Sequence, residues 1–145
     1  LRRALKDWLR GDKTFDITDR DETFEAATAK VGPGVDFVIT GHTHLERAIP
    51  LDSRRCYFNC GTWIRLLRIT DAMLDRPEDF NKIYDVLMKG SMEEIDHTEI
   101  GQTFLMNQTS AVSIRTEGDE VVGELMHIEG EDPVTGRVIS QFRRR

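Results

Sequence analysis

No apolar run in this sequence approaches the roughly 20 residues needed to cross a bilayer, so no membrane span is expected. Internal repeats and low-complexity tracts are absent as well. Cysteine is scarce, with Cys56 and Cys60 the two present. On one strand these would share a face but lie about 13 Å apart, beyond the roughly 7 Å that the Cα atoms of a disulfide allow. Reduced thiols in the core of a cytosolic protein are the expectation. Basic charge does not dominate: the formal net charge of -6 argues against a nucleic-acid surface, although bound metals can still attract a phosphate locally. The terminal Arg143-Arg144-Arg145 run is expected to be a solvated tail. At 145 residues, 39% hydrophobic and 32% charged, the chain has the make-up of a globular piece able to bury one core.

What is present is organised around Val35-Asp36-Phe37-Val38-Ile39-Thr40-Gly41-His42-Thr43-His44. The mostly β-branched run of Val35, Phe37, Val38 and Ile39 predicts a short strand covered on both faces. Gly41 has no Cβ, which lets the backbone turn sharply at the strand end and pass close to whatever follows. With near-extended geometry His42 and His44 leave the chain on one side, their Cβ atoms roughly 6 to 7 Å apart. That spacing suits one metal ion or a close pair, since imidazole binds zinc, manganese or iron through bonds of about 2 Å and hydrolytic pairs sit about 3.5 to 4 Å apart. A bare H-x-H also occurs as two hydrogen-bonding loop histidines.

The context of the motif is more specific than the motif. A strand ending in Gly41-His42-Thr43-His44, then Ala48-Ile49-Pro50, then a strand ending in Asn59-Cys60-Gly61-Thr62, resembles the last signature block of the calcineurin-like metallophosphoesterases, G-H-x-H followed by an N-x-G-[ST] turn. The resemblance covers residues 35 to 63 well and the rest in outline. It implies an α/β fold of the αββα two-sheet sandwich type, here partial and ending in an antiparallel β meander. It also implies two divalent metal ions (Mn, Fe or Zn), His42 binding the second and His44 the first, with Gly41, Thr43, Asn59 and Gly61 shaping the site. The implied activity is hydrolysis of a phosphomonoester, phosphodiester or pyrophosphate by a metal-bridging hydroxide. The implied partner is a phosphate-ester small molecule or nucleotide-like substrate.

The other blocks of that family, D-x-H, G-D-x-x-D, G-N-H-[DE] and a lone histidine, are not matched. Gly11-Asp12-Lys13-Thr14-Phe15-Asp16 is only a faint echo of the second, with its later aspartate one position too far. The sequence starts at Leu1, and the expectation is therefore the C-terminal part of a longer, cytoplasmic enzyme, with a signal peptide left open. Two histidines leave each metal short of the usual four or more ligands, so the chain by itself is expected to bind metal weakly and to hydrolyse nothing. Two other readings remain: a structural or binding piece in which H-x-H is incidental, and a small His2Cys2 zinc module of His42, His44, Cys56 and Cys60. The zinc module needs 56 to 60 to be a turn, whereas Tyr57-Phe58 reads as strand.

Along the chain, Leu1 to Arg10 reads as a helix with Leu1, Leu5, Trp8 and Leu9 on one face, the basic residues on a solvated face, and Gly11 as its stop. Residues 12 to 17 are a polar loop. A second helix is expected over Asp19 to Lys30, capped by Thr18 or Asp19, with Phe24, Ala27 and Val31 as its buried stripe. Gly32-Pro33-Gly34 leads into the strand that carries the histidines, whose place at a strand's carboxyl end is where α/β sheets collect ligands.

Strands follow at Arg47 to Pro50, Cys56 to Asn59 and Ile64 to Ile69, with a turn at Asp52-Ser53 and antiparallel pairing expected. Trp63 is placed either against the site or in the core. Residues 71 to 97 form a helical insertion: Pro77 starts a helix with a stripe of Phe80, Ile83, Tyr84, Leu87 and Met88, packed on a sheet or serving as a lid or dimer surface, and Ser91 to Glu94 is a capping box. His97 has no partner spacing. Ala111 to Thr116, Glu120 to Glu129 and Arg137 to Phe142 form the meander, turning at Glu117-Gly118-Asp119 and through the loop 131 to 136. His127 is assigned to solvent or a strand neighbour.

Overall fold

The computed structural model describes residues 1–98, 100, 104–131 and 133–144. In chain order these form α1 (Arg2–Leu9), α2 (Glu22–Thr28), β1 (Phe37–Thr40), β2 (Glu46–Pro50), β3 (Cys56–Cys60), β4 (Ile64–Leu67), α3 (Asp71–Asp75), α4 (Pro77–Lys89), α5 (Met92–Asp96), β5 (Leu105–Gln108), β6 (Ser110–Glu117), β7 (Glu120–Glu129) and β8 (Thr135–Arg144). The fold is mixed α/β with three small sheets, of orders β1-β3-β2, β4-β5 and β6-β7-β8. Two compact units are present, residues 1–12 with 65–107 and residues 13–64 with 108–145. Among the described residues no helix is long and apolar enough to cross a membrane.

The second unit carries the histidines. β1 runs parallel to β3 and β2 antiparallel to it, the antiparallel step that the short turn at Asp52 predicts. On one face of this sheet Phe24, with Ala27 and Val31 beside it, packs on Val38, Ile49 and Tyr57. On the other, Ala48, Cys56 and Phe58 meet Leu125, with Phe37, Val112, Ile139 and Phe142 around them. The layers are therefore helix, sheet, sheet, each burying the apolar side of the next. Gly123 on β7 is what lets the sheets approach. A Cβ there would lie 2.7 Å from Phe37 Cε1 and 2.8 Å from Phe58 Cε2, where the two rings stack at 6.2 Å. The meander is antiparallel throughout, as expected.

Three expectations for this unit are corrected. The second helix starts at Glu22, capped by Asp21, whose Oδ1 accepts the Phe24 N–H at 2.9 Å. Thr18 cannot cap it, because its N–H and hydroxyl both donate to Asp16 Oδ1 at 2.9 and 2.7 Å in the preceding turn. β1 is an edge strand, pairing with β3 alone among the described strands, and its two faces are covered at Val38 and Phe37 but not at Ile39, which is 49% exposed. The arginines at the end are not a solvated tail. Arg143 reaches Glu117 and Glu120 at 2.8 and 3.1 Å, and Arg144 reaches Asp36 at 3.1 Å, while Arg145 lies outside the described residues, as does Asp132 of the loop before β8. Arg47, finally, is fully buried and pins the polar loop after α1. Its guanidinium donates to Thr14 O at 3.2 Å and pairs with Asp21 at 3.1 Å.

In the first unit Met73, Ile83, Val86, Ile95, Ile100 and Phe104 form the core. Pro77 sits at the start of α4 and Gly90 closes it in the left-handed conformation, φ 65°. The stripe of α4 is rotated from its expected position. Asp79, Ile83 and Val86 are buried, while Tyr84, Leu87 and Met88 are exposed. This core is small and covers one side of the helix, so the wide apolar arc is only partly used, and Phe80 and Tyr84 stack on each other at 6.3 Å. α1 buries none of its residues, and Leu1 and Trp8 are exposed. Its basic face is engaged instead: Lys6 pairs with Asp75, and Arg2 donates to the Leu74 and Asp75 carbonyls at the end of α3 at 3.5 Å, where the helix dipole favours a cation.

Candidate functional site: the histidine loop

β1 ends at Thr40, and the chain then bends through Gly41 to His44 before β2 begins at Glu46. Both His42 and His44 are exposed at the carboxyl end of β1, as placed from the sequence. The geometry between them differs from the extended form expected. His42 has φ 68° and is the one non-glycine residue with positive φ among the described residues. The sharp turn thus falls on His42 and not on Gly41. A Cβ at Gly41 would sit 3.4 Å from Cys60 Sγ and 3.5 Å from Gly61 O, ordinary contact distances.

What holds His42 there is a set of bonds to the turn after β3. Its N–H donates to Gly61 O at 3.1 Å. Gly61 is left-handed, φ 63°, and a Cβ on it would lie 2.7 Å from Gln108 Nε2 and 3.3 Å from Thr43 O, so a side chain there would be strained and would displace the Gln108 amide. Asn59 is fully buried, donates from Nδ2 to Thr43 Oγ1 at 2.7 Å, and accepts the Gly61 N–H on Oδ1 at 2.9 Å. Beneath it the Tyr57 hydroxyl meets Thr40 Oγ1 at 2.7 Å, and burial raises the Tyr57 pKa. Thr43, Asn59 and Gly61, expected to shape the site, are brought together in one network. Two separate sequence blocks therefore make one hydrogen-bonded double turn.

The two cysteines stand at opposite ends of β3, which is a strand and not the turn a His2Cys2 site needs. Both are free thiols. Cys56 lies in the core, and burial pushes its thiol up to about 12, which opposes the thiolate that metal ligation requires. Cys60 Sγ donates to Thr40 O at 3.5 Å, bracing the strand end. Among the described residues no three of His, Cys, Asp or Glu are grouped closely enough to hold an ion. Two imidazoles would supply about half of a four-ligand shell. At the last position of the N-x-G-[ST] turn, the Thr62 hydroxyl is buried without a hydrogen-bond partner.

Trp63 is 63% exposed and so is not core, and its indole N–H is fixed on Ser110 O at 2.7 Å. His127 does face a strand neighbour: its Nδ1 lies 3.0 Å from Arg137 Nη2 and its Nε2 2.6 Å from Glu46 Oε1. An Arg donor fixes Nδ1 as acceptor and leaves the proton on Nε2 to donate to Glu46. Ser110 Oγ donates to the same carboxylate oxygen. Glu46, two residues past His44, is thus tied to the meander through partners far along the chain, a link that no local pattern announces. Comparison with family models, with curated proteins and with solved structures finds no match.

Proposed function

We propose that this chain supplies the histidine pair of a binuclear metallophosphoesterase, with His42 and His44 as metal ligands and the remaining ligands contributed by groups outside this loop. The observation that carries the reading is the left-handed backbone of His42, which is exposed and held in place by Gly61 and the Asn59 clamp. A non-glycine residue in that region costs about 1 to 2 kcal/mol, and such strain gathers where a side chain must be aimed. The αββα architecture belongs to the same proposal, the helix, sheet, sheet layering being three of its four layers.

When bound, two divalent ions would neutralise charge on phosphoryl oxygens and lower the pKa of water. The chain's own part is to present two imidazoles from a loop bonded to the turn after β3. Thr43 and Asn59 hold the loop, and neither carries a proton to or from substrate. Substrates of the complete enzyme are phosphate esters or pyrophosphates.

Manganese titration of the chain, read by paramagnetic broadening of the imidazole resonances, tests the ligand assignment. His42 and His44 should broaden together at the lowest metal concentration, ahead of His97 and His127, with weak affinity and no turnover of an aryl phosphate. Equal broadening of all four rings, or none, would remove the metal assignment. Hydrolysis by the chain alone would contradict the division of the site.

A further inference from the structure

At the other end of the same sheet an open cleft of about 480 Å³ is lined by Asp36, Asp52, Ser53, Arg54, Arg55 and Arg144, among others. Asp36 immediately precedes β1 and Arg55 immediately precedes β3, so the cleft lies at the amino ends of these parallel strands. His42 follows their carboxyl ends. The four residues of β1 put roughly 13 Å between the two places.

The charges in the cleft do not cancel. Asp36 is paired with Arg144 Nη1 at 3.1 Å, and Asp52 with Arg55 Nε at 2.6 Å. Asp52 also accepts the backbone N–H groups of Arg54 and Arg55 at 2.8 and 2.9 Å, which hold its carboxyl below the usual range. Two carboxylates thus meet two guanidiniums, and Arg54 is exposed with no carboxylate of the described residues within ion-pair distance. Arg144 Nε, moreover, is buried with no hydrogen-bond partner. A spare guanidinium is what an oxyanion consumes, and arginine forks match phosphate oxygens two at a time.

We infer that this cleft binds the phosphate group of a phosphorylated sugar or polyol. Three guanidiniums and the Ser53 hydroxyl offer more donors than one carboxylate can accept, which favours phosphate. The volume lies within the range of about 300 to 1,000 Å³ typical of small-molecule pockets and exceeds what a bare ion needs. None of the described lining residues is aromatic, so nothing stacks on a nucleobase. Asp36 and Asp52 keep lone pairs after bridging arginine, since a carboxylate has about four acceptor sites, and these suit the hydroxyls of the carrier. The inference is independent of the histidine loop and stands or falls apart from it.

Titration of the chain with glucose 6-phosphate, inorganic phosphate and glucose, followed by the arginine Nε–Hε resonances, tests it. Glucose 6-phosphate should bind saturably and more tightly than inorganic phosphate, glucose should not bind, and Arg54→Ala should weaken binding at least about tenfold, the effect of one charge-assisted hydrogen bond. The exposed Arg54 should leave the melting temperature unchanged on substitution. Arg3→Gln, in the other unit, should leave affinity unchanged. Absence of saturable binding, an undiminished affinity in Arg54→Ala, or an equal loss in Arg3→Gln would overturn the site. Inorganic phosphate binding as tightly as the sugar phosphate would overturn the carrier.

Discussion

Asn59 and Thr43 are joined by a hydrogen bond of 2.7 Å from amide nitrogen to hydroxyl oxygen, which ties the turn after β3 to the loop after β1. The same side chain receives the Gly61 N–H at 2.9 Å. Asn59→Ala should therefore leave a buried N–H unanswered and cost about 1 to 3 kcal/mol in urea unfolding. The His42 amide, bonded to Gly61 O, should exchange faster in the same variant. An unchanged urea midpoint would mean that the amide does not clamp the loop.

His42→Gly should separate strain from chemistry. Release from the left-handed region returns about 1 to 2 kcal/mol, and the added backbone freedom of glycine takes back about 0.5 to 1 kcal/mol. A net stabilisation of roughly 0.5 to 1 kcal/mol is expected together with loss of manganese-induced broadening at His44. A thermal melt shows the first effect and the titration the second. A lowered melting temperature would mean that the backbone at His42 is not strained.

Gly123→Ala should drive a methyl between the Phe37 and Phe58 rings, which stand at 2.7 and 2.8 Å from the Cβ position. Overpacking of this kind costs about 1 to 3 kcal/mol. Gly32→Ala meets nothing within 4 Å and should stay within about 0.5 kcal/mol of the parent. Equal melting temperatures for the two variants would show that the sheets separate easily at this point.

Cys56 and Cys60 should differ in reactivity. Cys60 is partly exposed, whereas Cys56 is buried with its thiol pushed up to about 12, so a maleimide should label Cys60 in the folded chain and Cys56 only on unfolding. The native state holds the Cys56 proton more tightly than the unfolded chain, in which a thiol titrates near 8.5. Its contribution to stability is complete below that pH and is lost as pH rises toward 12. Cys56→Ala should flatten this alkaline limb. Ready labelling of Cys56 at neutral pH would place it outside the core.

Acid should act in the opposite sense through Glu124. Hydrogen bonds from Arg115 hold its carboxyl below the ordinary value, so its contribution is present above about pH 4.3 and fades as pH falls further. Glu124→Gln should make the acid limb of the stability curve less steep, as read by urea midpoints between neutral and acid pH.

Local pattern was enough to give the elements that local physics controls. The Glu117-Gly118-Asp119 turn of the meander, Pro77 at a helix start, the Ser91 cap and the apolar run before the histidines each settle their own neighbourhood, because turn chemistry and side-chain period act over a few residues. The spacing of Asn59 and Gly61 after Gly41-His42-Thr43-His44 also marked a loop pair. That pattern did not show which residue takes the left-handed turn. Gly41 is the natural candidate by propensity, and the Gly61 carbonyl, 19 positions on, moves the turn to His42.

Whatever depends on a partner from elsewhere in the chain was decided by tertiary packing. Ile39 reads as core and is half exposed because the cover over β1, present at Phe37 and Val38, stops short of it. The stripe of α4 is half used because the core beneath it is small. Arg144 reads as tail and closes a cleft because Asp36 stands across from it. His127 and Glu46 meet because two sheets stack. Sequence alone set the strands, the helices and the histidine pair, since these follow from nearest neighbours. Only the fold set which faces are covered, which charges are matched and which residue bears the strain, since each needs a contact made across the chain.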